Sequence, residues 1–371
     1  MANKRVLIFS TAYLPFVGGA EVAVKELTDR LGNDIEFDLI TAKIRAGLPS
    51  KERVGTVTVY RIGAGIKLLD KLLLPFVGAI KTWRLNREKK YDYFWGIMVS
   101  FATGAAYIAN WFQKKVPIIL TLQEGDSEKW LRYRWFGLID LSWRMALKRT
   151  ARLTAISNYL LERAKRLGYT GFSCVIPNGV DVEKFLNPKS KILNPDEVTL
   201  ITTSRLVEKN GVGDIIEAMK FLPESMKLRI IGIGPLEKNL KAKVRDLKLE
   251  NRIDFLGIVP NSEIPKHLHE ADIFIRPSLS EGQGISFIEA MAAGLPVIAT
   301  PVGGIPDFLK DAETGLFVES KNPRQIAFQI QKLISNRVLH DKIVINAKRM
   351  VSEKYDWDLI ANDMRSKVFN V

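Results

Sequence analysis

The sequence predicts an α/β fold built from two Rossmann-like, doubly wound domains, and three observations carry that expectation. The 371 residues exceed what a single hydrophobic core usually covers. Short apolar runs alternate with amphipathic segments along both halves of the chain, the pattern of parallel strands joined by crossover helices. Glycine-containing turns close several of these runs, where a strand must pass directly into a helix.

The first strand is Arg5-Val-Leu-Ile-Phe9, continuous and apolar. A loop ending in Gly18-Gly19 follows, then a helix with Ala20, Ala23, Val24, Leu27 and Leu31 on one face and Gly32 beyond its end. Together they form the opening βα unit of a doubly wound sheet. Further strands are expected at 37–41, 56–62, 93–99, 117–122 and 153–156, and this half closes near Val175-Ile-Pro-Asn-Gly-Val-Asp181. Residues 186–196 are turn-forming and poor in apolar side chains, so they read as a linker between domains 1–185 and 186–371.

In the second half, a strand at 197–204 runs into Arg205-Leu-Val-Glu-Lys209-Asn-Gly211 and a helix at 212–222. A strand with a glycine turn at Gly232-Ile-Gly234 and a short strand ending in Gly257 come next; Gly-x-Gly alone carries little, because it recurs in many βα turns. The apolar strand at 271–278 then leads into Ser280-Glu-Gly-Gln-Gly-Ile-Ser-Phe-Ile-Glu289, and the helix at 285–293 is closed by Gly294. Asp356 is placed to cap a last helix carrying Ile360, Met364 and Val368 at four-residue spacing.

Glu281 and Glu289 therefore sit at the carboxyl end of a strand, where ligands bind in open α/β sheets, with bare backbone at Gly282 and Gly284 beside a dipole-positive helix start. Glu281, still in the loop, is placed to face a reacting group. Glu289, about a turn into the helix, is placed to reach a hydroxylated group such as a ribose. Arg205 and Lys209, four residues apart at a second strand end, make a clamp suited to a pyrophosphate, the guanidinium bidentate and the ammonium a point charge. Taken alone, the two glutamates read equally well as solvated charges at a helix start, and Arg205 and Lys209 singly would more often be surface charge than ligand.

As a set they resemble the retaining glycosyltransferases of family 4, which have the GT-B architecture. The resemblance rests on Arg205 with Lys209, the Glu281 and Glu289 pair, Gly257 after Phe-Leu, Pro301-Val-Gly-Gly304 with Asp307, and Asn178-Gly-Val-Asp181. It covers nearly the whole chain and is densest from 175 to 320. It implies two Rossmann-like domains facing a cleft, with the last helix, about 356–371, crossing back to the first domain. It also implies a nucleotide diphosphate-sugar donor, a hydroxyl acceptor and a product that keeps the anomeric configuration of the donor sugar. By the same resemblance Arg205, Lys209 and the glycine pair at Gly19 approach the donor diphosphate. Glu289 takes the ribose, Glu281 with the backbone of Gly284, Ile285 and Ser286 takes the donor sugar, and Gly257 lies near the nucleoside. No cofactor or metal is expected, since the nucleotide-sugar is a co-substrate.

Two departures stand out. Gln283 occupies a place where relatives usually carry an aromatic residue, which loosens any expectation about the donor sugar. After the strand at 117–122 the chain reads Gln123-Glu124-Gly125-Asp126, near the point where many relatives show a histidine, so Glu124 and Asp126 are named as candidates for contacting acceptor or donor sugar. Polar residues at a strand-to-helix turn would explain them equally well.

The net charge of +14 is unevenly placed, with 29 Lys and Arg against 17 Asp and Glu in residues 1–185, and 26 against 24 in the remainder. The basic surplus belongs to the half expected to bind acceptor. Residues 129–152 mix seven cations and one acid with Trp130, Tyr133, Trp135 and Trp143, and the apolar stretch 66–80 is flanked by Lys81, Arg84, Arg87, Lys89 and Lys90. Such mixtures suit contact with an anionic membrane surface or, equally, amphipathic helices packed on a core; Pro75 argues against one continuous helix across the second segment. A lipid-linked or polysaccharide-precursor acceptor and a peripheral place on the inner face of the membrane are the matching expectations.

No nucleic-acid motif accompanies the basic charge, so nucleic acid is not an expected partner. One cysteine, Cys174, excludes an internal disulfide framework and fits a reducing, cytoplasmic compartment. His267, His269 and His340 make no convincing metal site, and no apolar run is long enough to span a membrane. Two other classes of reading stay open: a non-catalytic module that binds sugar-nucleotide or lipid, and another enzyme on the same fold such as an epimerase or a phosphorylase.

Overall fold

A computed structural model of the chain describes residues 4–112, 115–125, 138–186, 194 and 197–370. The chain divides into two compact units, Met1–Asn178 joined by Trp357–Val371, and Gly179–Asp356. Most of the linker read at 186–196, and Asp126, lie outside the described residues.

Among the described residues the first unit holds eight strands: β1 (Lys4–Phe9), β2 (Ile35–Ala42), β3 (Lys51–Val54), β4 (Val57–Ile62), β5 (Tyr93–Ile97), β6 (Ile118–Leu122), β7 (Arg152–Ala155) and β8 (Phe172–Val175). Their order is β3-β4-β2-β1-β5-β6-β7-β8, and β3 alone runs antiparallel, as an edge hairpin on β4. Chain order reverses between β1 and β5, which makes that edge the topological switch point of the sheet.

Alternate residues of β1 serve two cores. Val6 and Ile8 pack with Ala20, Ala23, Val24, Leu27 and Leu31 of α1 (Gly19–Leu31), whereas Leu7 and Phe9 pack with Leu74 and Leu85 of α2 (Lys67–Lys89) and Ala102, Ala105 and Ala109 of α3 (Phe101–Phe112). Against expectation, α2 runs unbroken through Pro75. Its ring lies opposite Gly104 of α3, and a β-carbon on Gly78 would stand only 3.0 Å from that of Ala105, so small residues let the two helices approach closely. Packing along that seam offsets the roughly 3 kcal/mol that an interior proline costs a helix.

The carboxyl-terminal segment completes this unit. The helix Trp357–Asp363 widens into a π turn at Met364–Phe369, and Trp357, Ile360, Met364, Val368 and Phe369 join the α1 side of the core. Phe369 sits edge-on to Phe37, Tyr93 and Trp95, Lys4 Nζ donates to the Phe369 and Asn370 carbonyls at 2.6 and 2.8 Å, and Arg152 donates to the Val368 carbonyl.

The second unit holds β9 (Thr199–Thr203), β10 (Lys227–Ile231), β11 (Ile253–Gly257), β12 (Ile273–Arg276), β13 (Val297–Ala299) and β14 (Leu316–Phe317). All pair in parallel, in the order β11-β10-β9-β12-β13-β14, the 3-2-1-4-5-6 order of a doubly wound dinucleotide-binding sheet. Its switch point lies between β9 and β12. Leu200, Ile273 and Ile275 face one core, and Ile201 and Phe274 face the other.

Candidate functional site

The loops that follow β9 and β12 open on either side of this switch point, and they are strapped together by backbone. The Leu279 amide donates to the Lys209 carbonyl at 2.7 Å, and within the first loop the Asn210 side chain donates to the Arg205 carbonyl at 2.7 Å. Gly211 has φ +67°, and a β-carbon there would come within 2.2 Å of the Pro277 carbonyl oxygen. Only glycine lets the two loops cross so closely. The structure thus brings together the segment carrying Arg205, exposed, and Lys209, half-buried, with the segment carrying Glu281.

β12 ends in a buried cation that the sequence reading missed. Arg276 follows three apolar residues, is 6% exposed, and pairs with Glu281, while Glu289 acts on its charge without a direct bond to it. Nη2 reaches Glu281 Oε2 at 2.6 Å; Nη1 reaches Ser286 Oγ at 2.6 Å and the Thr203 carbonyl at 3.3 Å; and the plane lies 4.1 Å from the centre of the Phe287 ring. The other oxygen of Glu281 accepts the Gly282 amide at 3.0 Å. A charged residue closing an otherwise apolar strand was the available signal.

Gly284 caps the helix Ile285–Ala292 with φ +85°, and a β-carbon on it would strike Phe287 at 2.5 Å and Arg276 at 2.7 Å. The helix therefore starts directly against the arginine, its first amides opening onto the Glu281 loop. One residue ahead of Gly284, Gln283 is buried. The Pro301-Val-Gly-Gly304 segment has a structural part in this: the Gly304 amide donates to the Glu281 carbonyl at 3.2 Å, and Gly303 passes so near that a β-carbon would lie 1.8 Å from the same oxygen.

Glu289 stands one turn further along this helix. Burial pushes its carboxyl up to about 7, against the pull of Arg276 in the other direction. Burial likewise works against the charge on Arg276 and outweighs the support it receives from Glu281 and Glu289. The glycine turns nearby hold backbone crossings: a β-carbon on Gly232 or Gly234 would meet the Ser204 or Leu206 carbonyl, and Gly232 donates to the carbonyl of Gly257, itself at φ +67° with open space beside it. Several buried side-chain atoms at this end of the sheet lack a hydrogen-bond partner, namely Thr202 Oγ1, Thr203 Oγ1, Ser204 Oγ, Ser278 Oγ and Arg276 Nε.

In the first unit, Gly19 opens α1 with nothing within 4 Å of where a β-carbon would stand. The Glu21 carboxyl covers the Gly18 side of that turn; burial raises it above its ordinary range and hydrogen bonds from its own and the Gly18 amide pull it back. Glu124 is turned inward at the end of β6, accepting the Val99 amide at 2.6 Å and the Gln123 amide at 3.0 Å, and burial holds its carboxyl above the usual range against those bonds and the pull of Arg163. Its oxygens thus tie β5 to β6. Arg163 lies 4.8 Å over the ring of Trp143, which is buried. Among the described residues no cluster of three or more His, Cys, Asp or Glu is arranged to hold a metal ion, and no helix is long and apolar enough to cross a membrane.

The family model described as Glycosyl transferases group 1 matches residues 183–350, and that of Glycosyltransferase Family 4 matches residues 17–184. An uncharacterized glycosyltransferase of Methanocaldococcus jannaschii is 34% identical over 97% of this chain and 96% of its own. The alpha-monoglucosyldiacylglycerol synthase of Acholeplasma laidlawii is 28% identical, with 84% of each chain covered. Among solved structures, Anabaena HepE in complex with UDP and glucose superposes with a TM-score of 0.80 over 100% of both chains at 18% identity, a likeness of GT-B fold.

Proposed function

Because this chain belongs to the family 4 glycosyltransferases, we propose that it transfers a sugar from a nucleoside diphosphate-sugar to a hydroxyl acceptor with retention of anomeric configuration. The observation that carries this reading is the strapping of the Arg205–Lys209 loop to the Glu281 loop at the switch point of the second sheet. Cations and carboxylates of opposite duty are held there on one backbone framework. Breaking the bond between the anomeric carbon and the phosphate oxygen sends the electron pair to that oxygen and adds one negative charge to the two the diphosphate already carries; Arg205 and Lys209 stabilise it, a role a divalent ion can also serve. Glu289 accepts from the ribose hydroxyls and Glu281 from the sugar. Glu281 is engaged by Arg276 and the Gly282 amide, which suits positioning better than nucleophilic attack, so the reading follows the family in using no protein nucleophile: the departing phosphate oxygen takes the acceptor proton. HepE bound to UDP and glucose supports a sugar nucleotide of this kind.

The acceptor side of the reading is a lipid-linked hydroxyl at an anionic membrane surface, met by a peripheral protein on its inner face. Its support is α2. While Leu74, Gly78 and Leu85 face the core, Leu68, Leu72, Leu73, Phe76, Val77 and Ile80 are exposed, with Lys67, Arg84, Arg87 and Lys90 exposed around them. Trp111 and Phe112 at the end of neighbouring α3 are exposed as well. An apolar stripe with a basic margin fits the headgroup boundary of anionic lipid. Of the second segment considered for such contact, Trp143 belongs to the core, and residues 129–137 lie outside the described residues.

The donor half is tested by Lys209→Ala. Thermal shifts against uridine, guanosine and adenosine diphosphates should single out one base for the wild type, and the variant should bind it about 30-fold more weakly, the loss of a charge-assisted hydrogen bond worth about 2 kcal/mol. Equal affinity in the two proteins would remove the clamp. No nucleotide release from any sugar conjugate with any acceptor would favour a non-catalytic module.

A further inference from the structure

Arg276 has more to do than close a strand. Its charge is enclosed, its plane is stacked on Phe287, and its two Nη atoms are spent on Glu281, Ser286 and the Thr203 carbonyl, all within 3.3 Å. These partners come from the end of β9, the Glu281 loop and the first turn of the following helix, the three pieces from which the donor subsite is assembled. We propose that Arg276 is the positioning residue of that subsite: a buried fork that holds the Glu281 carboxylate in one orientation toward the donor sugar and lays a positive field across Glu289 at the ribose. The inference rests on the donor-site reading above.

A lysine could supply the field but not the fork, since an ammonium on a flexible stem cannot hold a carboxylate, a hydroxyl and a carbonyl in one plane. The two duties are therefore separable. Glu281 orientation should govern how well the sugar is held, and the field should govern the pH at which Glu289 loses its charge. Arg276 is the charge that acts on Glu289 most directly. Of the elements packed against the helix Ile285–Ala292, the helix Arg337–Lys354 brings Lys348, which lies against Gly294 beyond the far end. The helix Val182–Phe185 brings Glu183 and Lys184, both exposed, the latter paired with Asp181, and β13 has no titratable side chain.

The experiment compares wild type, Arg276→Lys and Arg276→Met by calorimetric titration with uridine, guanosine and adenosine diphosphates and their glucose conjugates, from pH 5.5 to 8.5. For the preferred base, Arg276→Met should lose on the order of tenfold more affinity for the conjugate than for the diphosphate, the size of one hydrogen bond. The pH below which its diphosphate binding weakens should move up by about one unit. Arg276→Lys should keep the wild-type pH midpoint while losing the sugar contribution. If Arg276→Met fails to fold, Arg276→Lys alone decides: an undiminished sugar contribution overturns the inference, as do unchanged selectivity and midpoint in a folded Arg276→Met, which would leave the arginine a purely structural ion pair. A wild type that binds none of the six probes overturns the donor-site reading itself and the inference with it.

Discussion

At the scale of single residues, Glu289 is the group whose chemistry the fold has altered most usefully. Its carboxyl, ordinarily near 4.5, is pushed up to about 7, burial outweighing the pull of Arg276. A carboxyl whose folded value is raised contributes its stability below the unfolded value, where it is neutral in both states, and that contribution is lost as pH rises through the folded value. Glu289→Gln, which keeps the shape and never ionises, should accordingly match wild type near pH 4.5 and become the more stable protein by pH 8. The gap should be on the order of 1–2 kcal/mol, reduced from the full linkage value because Arg276 then loses one of its opposing charges. Thermal melts of both proteins across that range check it; a gap that is constant with pH would mean Glu289 titrates as an ordinary surface carboxylate. The same substitution should weaken nucleoside diphosphate binding only above pH 7, where wild type carries the charge and the glutamine does not.

At the scale of elements, the structure rearranges what the sequence shows about the site. Arg205, Lys209 and Glu281, in loops that follow strands, and Glu289, one turn into a helix, were legible as candidates because that placement is a local pattern and the four as a set resemble a family's. Arg276 was not, because an arginine closing an apolar strand gains its meaning only from partners on β9 and on the next helix, and such pairings are not encoded in spacing. Gly211 and Gly303 are of the same kind: each is demanded by a backbone crossing from a distant segment. The opposite error arose at α2, where Pro75 was given more weight than the seam of Gly78 and Gly104 that accommodates it. That helix also carries the test of the membrane reading. Leu72→Ser with Phe76→Ser changes two exposed side chains, 45% and 63% accessible, so melting temperature should be nearly unaffected. Wild type should float with phosphatidylglycerol vesicles at low salt and be released as ionic strength rises, and the double variant should stay in the soluble fraction throughout. Equal flotation of the two proteins would place the lipid contact elsewhere, and no flotation of wild type would point to a soluble acceptor.

At the scale of the whole molecule, the chain's last fifteen residues belong to its first unit, so that unit is built from two stretches of sequence with the whole of the second unit between them. The pattern Ile360, Met364, Val368 announced an amphipathic helix, but not the π turn at its end nor that Phe369 would enter a nest of Phe37, Tyr93 and Trp95. Trp357, Ile360, Met364, Val368 and Phe369 are each at most 4% exposed, and α1 packs against them. At roughly 1.5–3 kcal/mol for each large apolar side chain buried, five such residues approach the whole stability of an ordinary domain. Removing residues 357–371 should therefore do more than fray an end. The α1 side of the first core would face water, and Lys4 and Arg152 would lose the carbonyls they now bind. The truncated protein should bind a hydrophobic dye, lose its cooperative melt in the first unit, and be cut by protease within residues 1–178 at concentrations that leave the full chain intact. Cleavage confined to the new end, with α1 still protected, would show that the sheet and its own helices suffice, and that the returning segment is an accessory to the first unit instead of part of its core.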